Sequence, residues 1–377
     1  MTEINKNIEL AKNWLLNSGI QNLEGEHKGA FNSWFDMDKK NYSYAYSEIT
    51  GYAITTLIYI HNLFKEEILL ERAKLAANWL IDKTTHKSGG ILCRYFYKET
   101  EFMGSFENKE IYLFDCGMVL NGIINLYDIT KENKYLKFSE KLADFMISKQ
   151  KQDGSFYAVY NERDNSLTDD EEKWSTQSGA FHNKLAIGLL KLYSITKNEE
   201  YKNSAVKICD YSLKFFENDG RVITFSKTGD SLFHPHCYAA EGLYATGKYL
   251  NNKKYLEYSK KATQYLFNNQ KENGGIPQFF KDNKLIDLER SDILAQSLRL
   301  GALHSINKEK LDKLARRLLE FQNLNEEQKG GFKYGYDDNG NKYEHLNSWC
   351  TMFALQALIL YKQHLENKLD FNEFLLV

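Results

Sequence analysis

The sequence predicts an all-α fold in which twelve helices pair into six hairpins set around a ring. Three observations carry this prediction. A two-helix unit recurs along the chain, the two helices of each unit distribute their apolar residues differently, and proline is confined to Pro235 and Pro277, so long helices run uninterrupted.

The first part of the unit is an apolar stretch ending in Leu and Tyr, as in DCGMVLNGIINLYDIT (115–130), SGAFHNKLAIGLLKLYSIT (178–196) and PHCYAAEGLYATGKYL (235–250). A short polar turn follows, then a stretch with charges on one side only, as in KYLKFSEKLADFMISKQ, EYKNSAVKICDYSLKFF and KYLEYSKKATQYLFNNQ. The unit closes on a Gly-containing, aromatic loop: DGSFYAVY (153–160), NGGIPQFF (273–280), KGGFKYGY (329–336).

Fainter copies extend the pattern to both ends. Apolar helices are expected to start near Glu48, Asp115, Ser178, Pro235, Ser291 and Asn347, and charged partners include 8–19 and 68–81. A helix that is apolar all round is buried, whereas one with a single apolar stripe faces solvent on its other side. The apolar set therefore forms an inner ring and the charged set an outer one, and closing the ring removes the ends that an open superhelix must cap. The chain is read as one domain over 1–377.

This alternation of inner and outer helices with GG-aromatic loops resembles the (α/α)6 toroid of six-hairpin glycosidases, polysaccharide lyases, N-acylglucosamine 2-epimerases, lanthionine cyclases and terpene cyclases. The resemblance spans nearly the whole chain. It implies a carbohydrate-active enzyme, and function carried over from fold is analogy.

The bulk numbers exclude several classes. With 49 basic and 51 acidic residues the net charge is -2, and no basic run offers a footprint for nucleic acid. No apolar stretch approaches the ~18 residues of a membrane span. The start MTEINKNIELAKNWLL has no basic, then apolar, secretory pattern, which places the chain in the cytoplasm. Five cysteines with no CxxC pair read as reduced thiols. The 25 Tyr, 23 Phe and 5 Trp exceed the needs of a helical core, so some aromatic surface is expected to line a cleft.

The long connections, 85–114 and 151–177, enter the inner helices, so loops and helix starts converge on one face. Six helix N-termini bring partial positive charge and unpaired N–H groups to that face, which favours a sugar bearing a carboxylate or phosphate. Trp34, Tyr44, Tyr95, Tyr157, Tyr334 and Trp349 are candidate sugar platforms, with Gln278 and Asn347 as polar contacts. Arg94 and Arg290 either fix an acidic group bidentately or pair with a loop carboxylate.

Four histidines, His182, His234, His236 and His345, fall at inner-helix starts, where an imidazole tends to stay neutral and can act as a base. His182, His236 and His345 are the candidate bases, with Tyr44, Tyr95 and Tyr334 in reserve, and His234 is a substrate contact. Glu48, Asp115 and Asp292 are either helix caps or acid and base groups. The first reading is proton-transfer chemistry of epimerase or lyase type on an acidic or N-acylated sugar or oligosaccharide, with no cofactor. The alternatives are a glycoside hydrolase with an Asp115/Asp292 pair, a non-catalytic glycan-binding toroid, and a zinc enzyme. Zinc enters because lanthionine cyclases and protein prenyltransferases hold it on this fold, and His236, Cys237 and Cys350 offer suitable ligands.

Overall fold

The computed structural model describes residues 2–97, 110–171, 173–337 and 339–377. The described residues form twelve α-helices. Six are inner: α2 (Ser47–Phe64), α4 (Leu113–Thr130), α6 (Leu185–Thr196), α8 (Phe233–Tyr249), α10 (Ser291–Leu303) and α12 (Ser348–Leu365). Six are outer: α1 (Thr2–Asn17), α3 (Glu67–Trp79), α5 (Asn133–Ile147), α7 (Glu199–Ser212), α9 (Lys253–Asn268) and α11 (Lys308–Leu319). The apolar distribution decides the assignment. In α8 every residue from Phe233 to Gly247 is buried, whereas α11 buries only Leu311, Leu314, Ala315 and Leu318, one stripe at helical spacing.

Each inner helix packs on the next, and α12 packs on α2, so the ring is closed rather than an open superhelix. The contact between α2 and α4 is the closest approach that bears on the site. A Cβ on Gly51 would lie 2.8 Å from Val119 N, and one on Gly122 would lie 2.7 Å from Gly51 O. With no side chain at either place, two helix starts that carry Glu48 and Asp115 come side by side.

The outer wall repeats one device. Gln150 Nε2 donates to Gly154 O and, in the next hairpin, to Ser204 O; Gln270 donates to Gly274 O and Lys310 O. Gln322 makes the same pair of bonds to Gly330 O and Asn7 O, so the last hairpin is stitched to the first. The glycine after each glutamine is required by geometry. Gly330 has φ +104, and a Cβ there would meet Leu10 O at 2.1 Å.

The third inner helix begins at Leu185, seven residues later than Ser178, because Ala180–Lys184 forms a 3-10 turn ahead of it. The connections expected as irregular loops contain short antiparallel strands. One of them, Trp34–Asp36, pairs with Lys342–Asn347 and joins the first and last connections of the ring. Residues 98–109 of the long 85–114 connection lie outside the described residues. Asn347 sits at the start of α12 but gives no side-chain cap, and Ser348 Oγ instead donates to Asn32 O at 2.5 Å.

At the far end, where the inner helices finish, the segment Phe374–Val377 is buried and fills the ring. Asn125 Nδ2 donates to Phe374 O and Gln356 Nε2 to Leu375 O. No helix among the described residues is long and apolar enough to cross a membrane.

Candidate active site

At the face where the inner helices start lies a cavity of ≈ 260 Å³. Its walls include Glu48 and Ile49 from α2, Asp115 and Phe114 from α4, His234 and Tyr238 from α8, and Trp349 from α12. Arg94, Arg290 and Tyr334 come from the connections between them.

One wall is a carboxyl pair. Glu48 and Asp115 each stand in the first turn of a helix and face the cavity, with Arg94 beside them. Burial and the neighbouring Glu48 charge push the Asp115 carboxyl well above the usual carboxylate range, and Arg94 only partly offsets this. Burial also raises Glu48, but contacts with Tyr46, Arg94 and Tyr52 favour its ionised form. Burial raises both carboxyls, and the like charge of Glu48 raises Asp115 further. Cys93 Sγ donates to Asp115 Oδ2 at 3.0 Å.

The opposite wall is an imidazole with a defined tautomer. His234 Nδ1 lies 2.7 Å from Gln296 Oε1 and 3.4 Å from Asp292 Oδ2. Gln296 Nε2 faces both oxygens of Glu241 at 3.5 and 3.4 Å. A carboxylate only accepts, so the amide must turn its NH2 toward Glu241 and its oxygen toward His234. Nδ1 is then the protonated nitrogen, and Nε2, on the far edge of a ring that lines the cavity, carries the lone pair. Burial holds His234 down to about 4, so it is neutral at pH 7. Glu241 is anchored in turn by Lys184 Nζ at 2.8 Å and Arg299 Nη2 at 2.6 Å, all three fully buried.

Asp292 does not serve as the partner carboxyl of Asp115. It is fully buried and accepts two bonds from Arg290, at 3.1 and 2.6 Å, and one from Trp349 Nε1 at 3.1 Å. Burial alone would raise its carboxyl, but the Arg290 charge and the hydrogen bonds from Arg290 and Trp349 outweigh that and bring it down to about 2. It stays ionised, and the pair that faces the cavity is Glu48 with Asp115. Arg290 takes the pairing alternative, and Arg94 stands against the carboxyl pair.

Of the expected histidine bases none lines the cavity, whereas two of the reserve tyrosines, Tyr44 and Tyr334, do. His236 accepts from Val222 N at 3.1 Å through Nδ1 and bonds Ala262 O at 3.0 Å through Nε2, so it joins α8 to the outer wall. His182 is fully buried behind Phe181, 4.2 Å from its ring, with both nitrogens lacking a partner. His345 stacks on Trp34 at 4.9 Å, and these two rings form a second row behind Tyr44 and Tyr334. Burial brings His182 down to about 3 and His236 and His345 to about 4.

The other expected contacts divide. Tyr44, Arg94, His234, Arg290, Tyr334 and Trp349 line the cavity. Tyr95 does not, because neighbouring residues of a strand point to opposite faces; its hydroxyl donates to Lys83 O. Tyr157 lies against Lys151, and Gln278 borders a separate depression of ≈ 640 Å³. The Asn347 amide is buried with neither polar atom bonded. The suggested zinc ligands do not assemble: His236 has both nitrogens engaged, Cys237 Sγ lies 3.9 Å from Ser297 Oγ, and no group of three or more His, Cys, Asp or Glu among the described residues is placed to hold a metal.

Tyr46, Tyr112, Trp174 and Tyr238 line the cavity and were not singled out from sequence. Tyr238 was findable, since it follows His234 by four residues and shares its helix face. Trp174, from the 151–177 connection, meets His234 edge-on at 5.7 Å; nothing in its local sequence marks it.

The sequence profile of glycosyl hydrolase family 76 matches residues 65–245, a span that contains Arg94, Asp115 and His234. A search of curated proteins finds no match. Among solved structures the chain is similar to a cellobiose 2-epimerase from Bacillus thermoamylovorans, at 13% identity over 94% of this chain and 99% of that one, with a TM-score of 0.72. It is similar to a sugar epimerase from a ruminal bacterium at 10% identity over 95% and 98%, TM-score 0.77. It is also similar to the unsaturated glucuronyl hydrolase of Bacillus sp. GL1 at 14% identity over 96% and 97%, TM-score 0.69. At such identities the likeness is one of fold, and that fold is the (α/α)6 toroid of carbohydrate-active enzymes.

Proposed function

We propose that this chain is a carbohydrate-active enzyme that cleaves a glycosidic bond with Asp115 as proton donor and Glu48 as the ionised partner. The observation that carries the reading is the carboxyl pair itself: two buried groups on adjacent inner-helix starts, facing one cavity, with one guanidinium beside them. A carboxyl held above its usual range by burial and a like charge is suited to protonate a leaving oxygen near neutral pH, while its ionised neighbour acts as nucleophile or activates water. The match to a glycosyl hydrolase profile across Asp115 supports the same chemistry.

The ligand expected from the cavity differs from the anionic sugar read from the helix starts. Arg290 is bonded to Asp292, Arg94 faces the carboxyl pair, and His234 is neutral, so the formal charges around the cavity cancel. An uncharged glycosyl unit fits that balance, with Tyr44, Tyr334 and Trp349 available to its apolar face. His234 Nε2 then accepts from a sugar hydroxyl.

A second reading, epimerisation with His234 as base, is favoured by the lone pair on Nε2 and by the two epimerases of the same fold. It is the weaker one, because an imidazole held down to about 4 is a poor base for a carbon-bound proton. Incubation with 4-nitrophenyl glycosides and with reducing disaccharides in D2O separates the two. Hydrolysis releases nitrophenol and fails by about 10²- to 10⁴-fold in Glu48→Gln and Asp115→Asn. Deuterium at the carbon beside the anomeric centre without cleavage would replace this reading with the second.

A further inference from the structure

Cys93 lies beside the carboxyl pair without lining the cavity, and its neighbours tie it to both helices of that pair. Its carbonyl accepts from Ser47 N at 3.0 Å, at the start of α2, and the preceding Leu92 O accepts from Ser47 Oγ at 2.5 Å. Its side chain reaches the other helix, where Sγ donates to Asp115 Oδ2 at 3.0 Å. Cys93 is 2% exposed and Asp115 3%, so water does not compete for this bond.

We propose that Cys93 is a positioning residue: its thiol fixes the Asp115 carboxyl relative to the helix that carries Glu48, and as a weak donor it does so with little preference for the ionised carboxylate. The inference rests on the reading of Asp115 as the proton donor. An O–H at this place would be a strong, charge-assisted donor that stabilises the carboxylate. An S–H orients the same oxygen with much less preference for the ionised form. Burial drives the Cys93 thiol well above its usual range, so it stays protonated and remains a donor.

The other groups that face Asp115 are few. Glu48 comes from α2, Tyr46 from the strand ahead of it, Arg94 from the strand after Cys93, and Tyr112 from the strand preceding α4. On the α6 side the first turn of α4 meets Phe181 and Leu185, and the nearest titratable group there is His182, whose ring lies 6.5 Å from Phe114. None of these changes when Cys93 is replaced by a residue of similar size.

The test is a carbon-13 carboxyl NMR titration of the full chain, with Asp115 assigned from the Asp115→Asn spectrum, in wild type, Cys93→Ser and Cys93→Ala. The Asp115 midpoint should fall by about one pH unit in Cys93→Ser and rise in Cys93→Ala. Midpoints that coincide in all three proteins, or shift in the reverse order, overturn the proposal. The titration needs no turnover, so it separates this inference from the assigned reaction. Ordered midpoints together with glycoside cleavage whose alkaline limb moves with them support both. Ordered midpoints with no cleavage of any glycoside leave the role of Cys93 standing and remove hydrolysis.

Discussion

Gln296 Oε1 accepts the Nδ1–H of His234 at 2.7 Å while its own amide nitrogen faces Glu241. A buried carboxylate that never reaches the cavity thus dictates which nitrogen of a cavity histidine carries the proton. Gln296→Met keeps the length of the side chain and removes both bonds. The lost acceptor leaves His234 free to exchange tautomers, and turnover should fall about 10- to 100-fold, the range typical of losing a partner that orients a site residue. Unpairing the amide from Glu241 should cost about 1–3 kcal/mol, read as a lower urea midpoint. Nitrogen-15 NMR of the His234 ring checks the tautomer directly, and an unchanged ring spectrum would sink the argument.

Asp292 is expected to matter more for stability than for proton transfer. Its two bonds to Arg290 are fully buried, and removing one partner of such a pair costs about 3–5 kcal/mol because the other charge loses its match. Asp292→Asn should therefore lower Tm strongly, whereas the double variant Arg290→Met with Asp292→Leu should recover much of the loss. Calorimetry on the three proteins gives the coupling. A single variant as stable as wild type would contradict the ion pair.

The ring was legible in the sequence because twelve helices advertise their burial by period; the carboxyls and Arg290 were legible because each sits within a few residues of an inner-helix start, and Arg94 because it lies in a long connection that enters one. Which imidazoles meet the cavity was legible only in part: His234 was read as a substrate contact and lines it, but its neighbour His236 was read as a base and does not. His234 and His236 are two residues apart, and two steps of about 100° each turn them to nearly opposite sides of α8. One side meets the cavity and the other meets Val222 and Ala262 on the outer wall. A shift of two residues in the helix start exchanges their roles, and Pro235 between them fixed the start only approximately. The pairing of Asp115 was missed for a similar reason: Glu48 and Asp292 look alike as first-turn acids, and only the glycines that let α2 and α4 touch tell which of the two lies beside Asp115.

Acid should unfold this protein earlier than its carboxylates alone would. Burial holds His182 near 3 and His234, His236, His304 and His345 near 4, against 6.5 for an unfolded chain. Between those limits the unfolded state binds more protons, so stability rises with pH and is lost as pH falls from about 6.5 toward 4. Each fully buried imidazole removes about 3 kcal/mol over that window, enough for a few to exhaust a stability of about 5–15 kcal/mol. Asp292, depressed to about 2, adds a further loss only below pH 4. Thermal melts at pH 7, 6, 5 and 4.5 should show Tm falling steeply before the carboxylates of ordinary pKa titrate, and a flat profile down to pH 5 would show that the imidazoles are solvated in the folded protein.

Ring closure makes the sharpest forecast for a single methyl group. Gly330 combines a φ of +104 with a Cβ position 2.1 Å from Leu10 O, so an alanine there must both adopt a strained backbone and push the last connection off α1. Gly25 has a comparable φ of +76 but nothing within 4 Å of its Cβ position, so its substitution isolates the backbone cost. That cost is about 1–3 kcal/mol. Gly330→Ala should exceed Gly25→Ala by the energy of separating the first and last hairpins, including the Gln322 bonds to Gly330 O and Asn7 O. Hydrogen exchange locates the damage: protection should fall in α1 and α11 for Gly330→Ala and stay unchanged there for Gly25→Ala. Equal destabilisation by the two variants would mean that the seam between the ends contributes little and that the toroid behaves energetically as an open array.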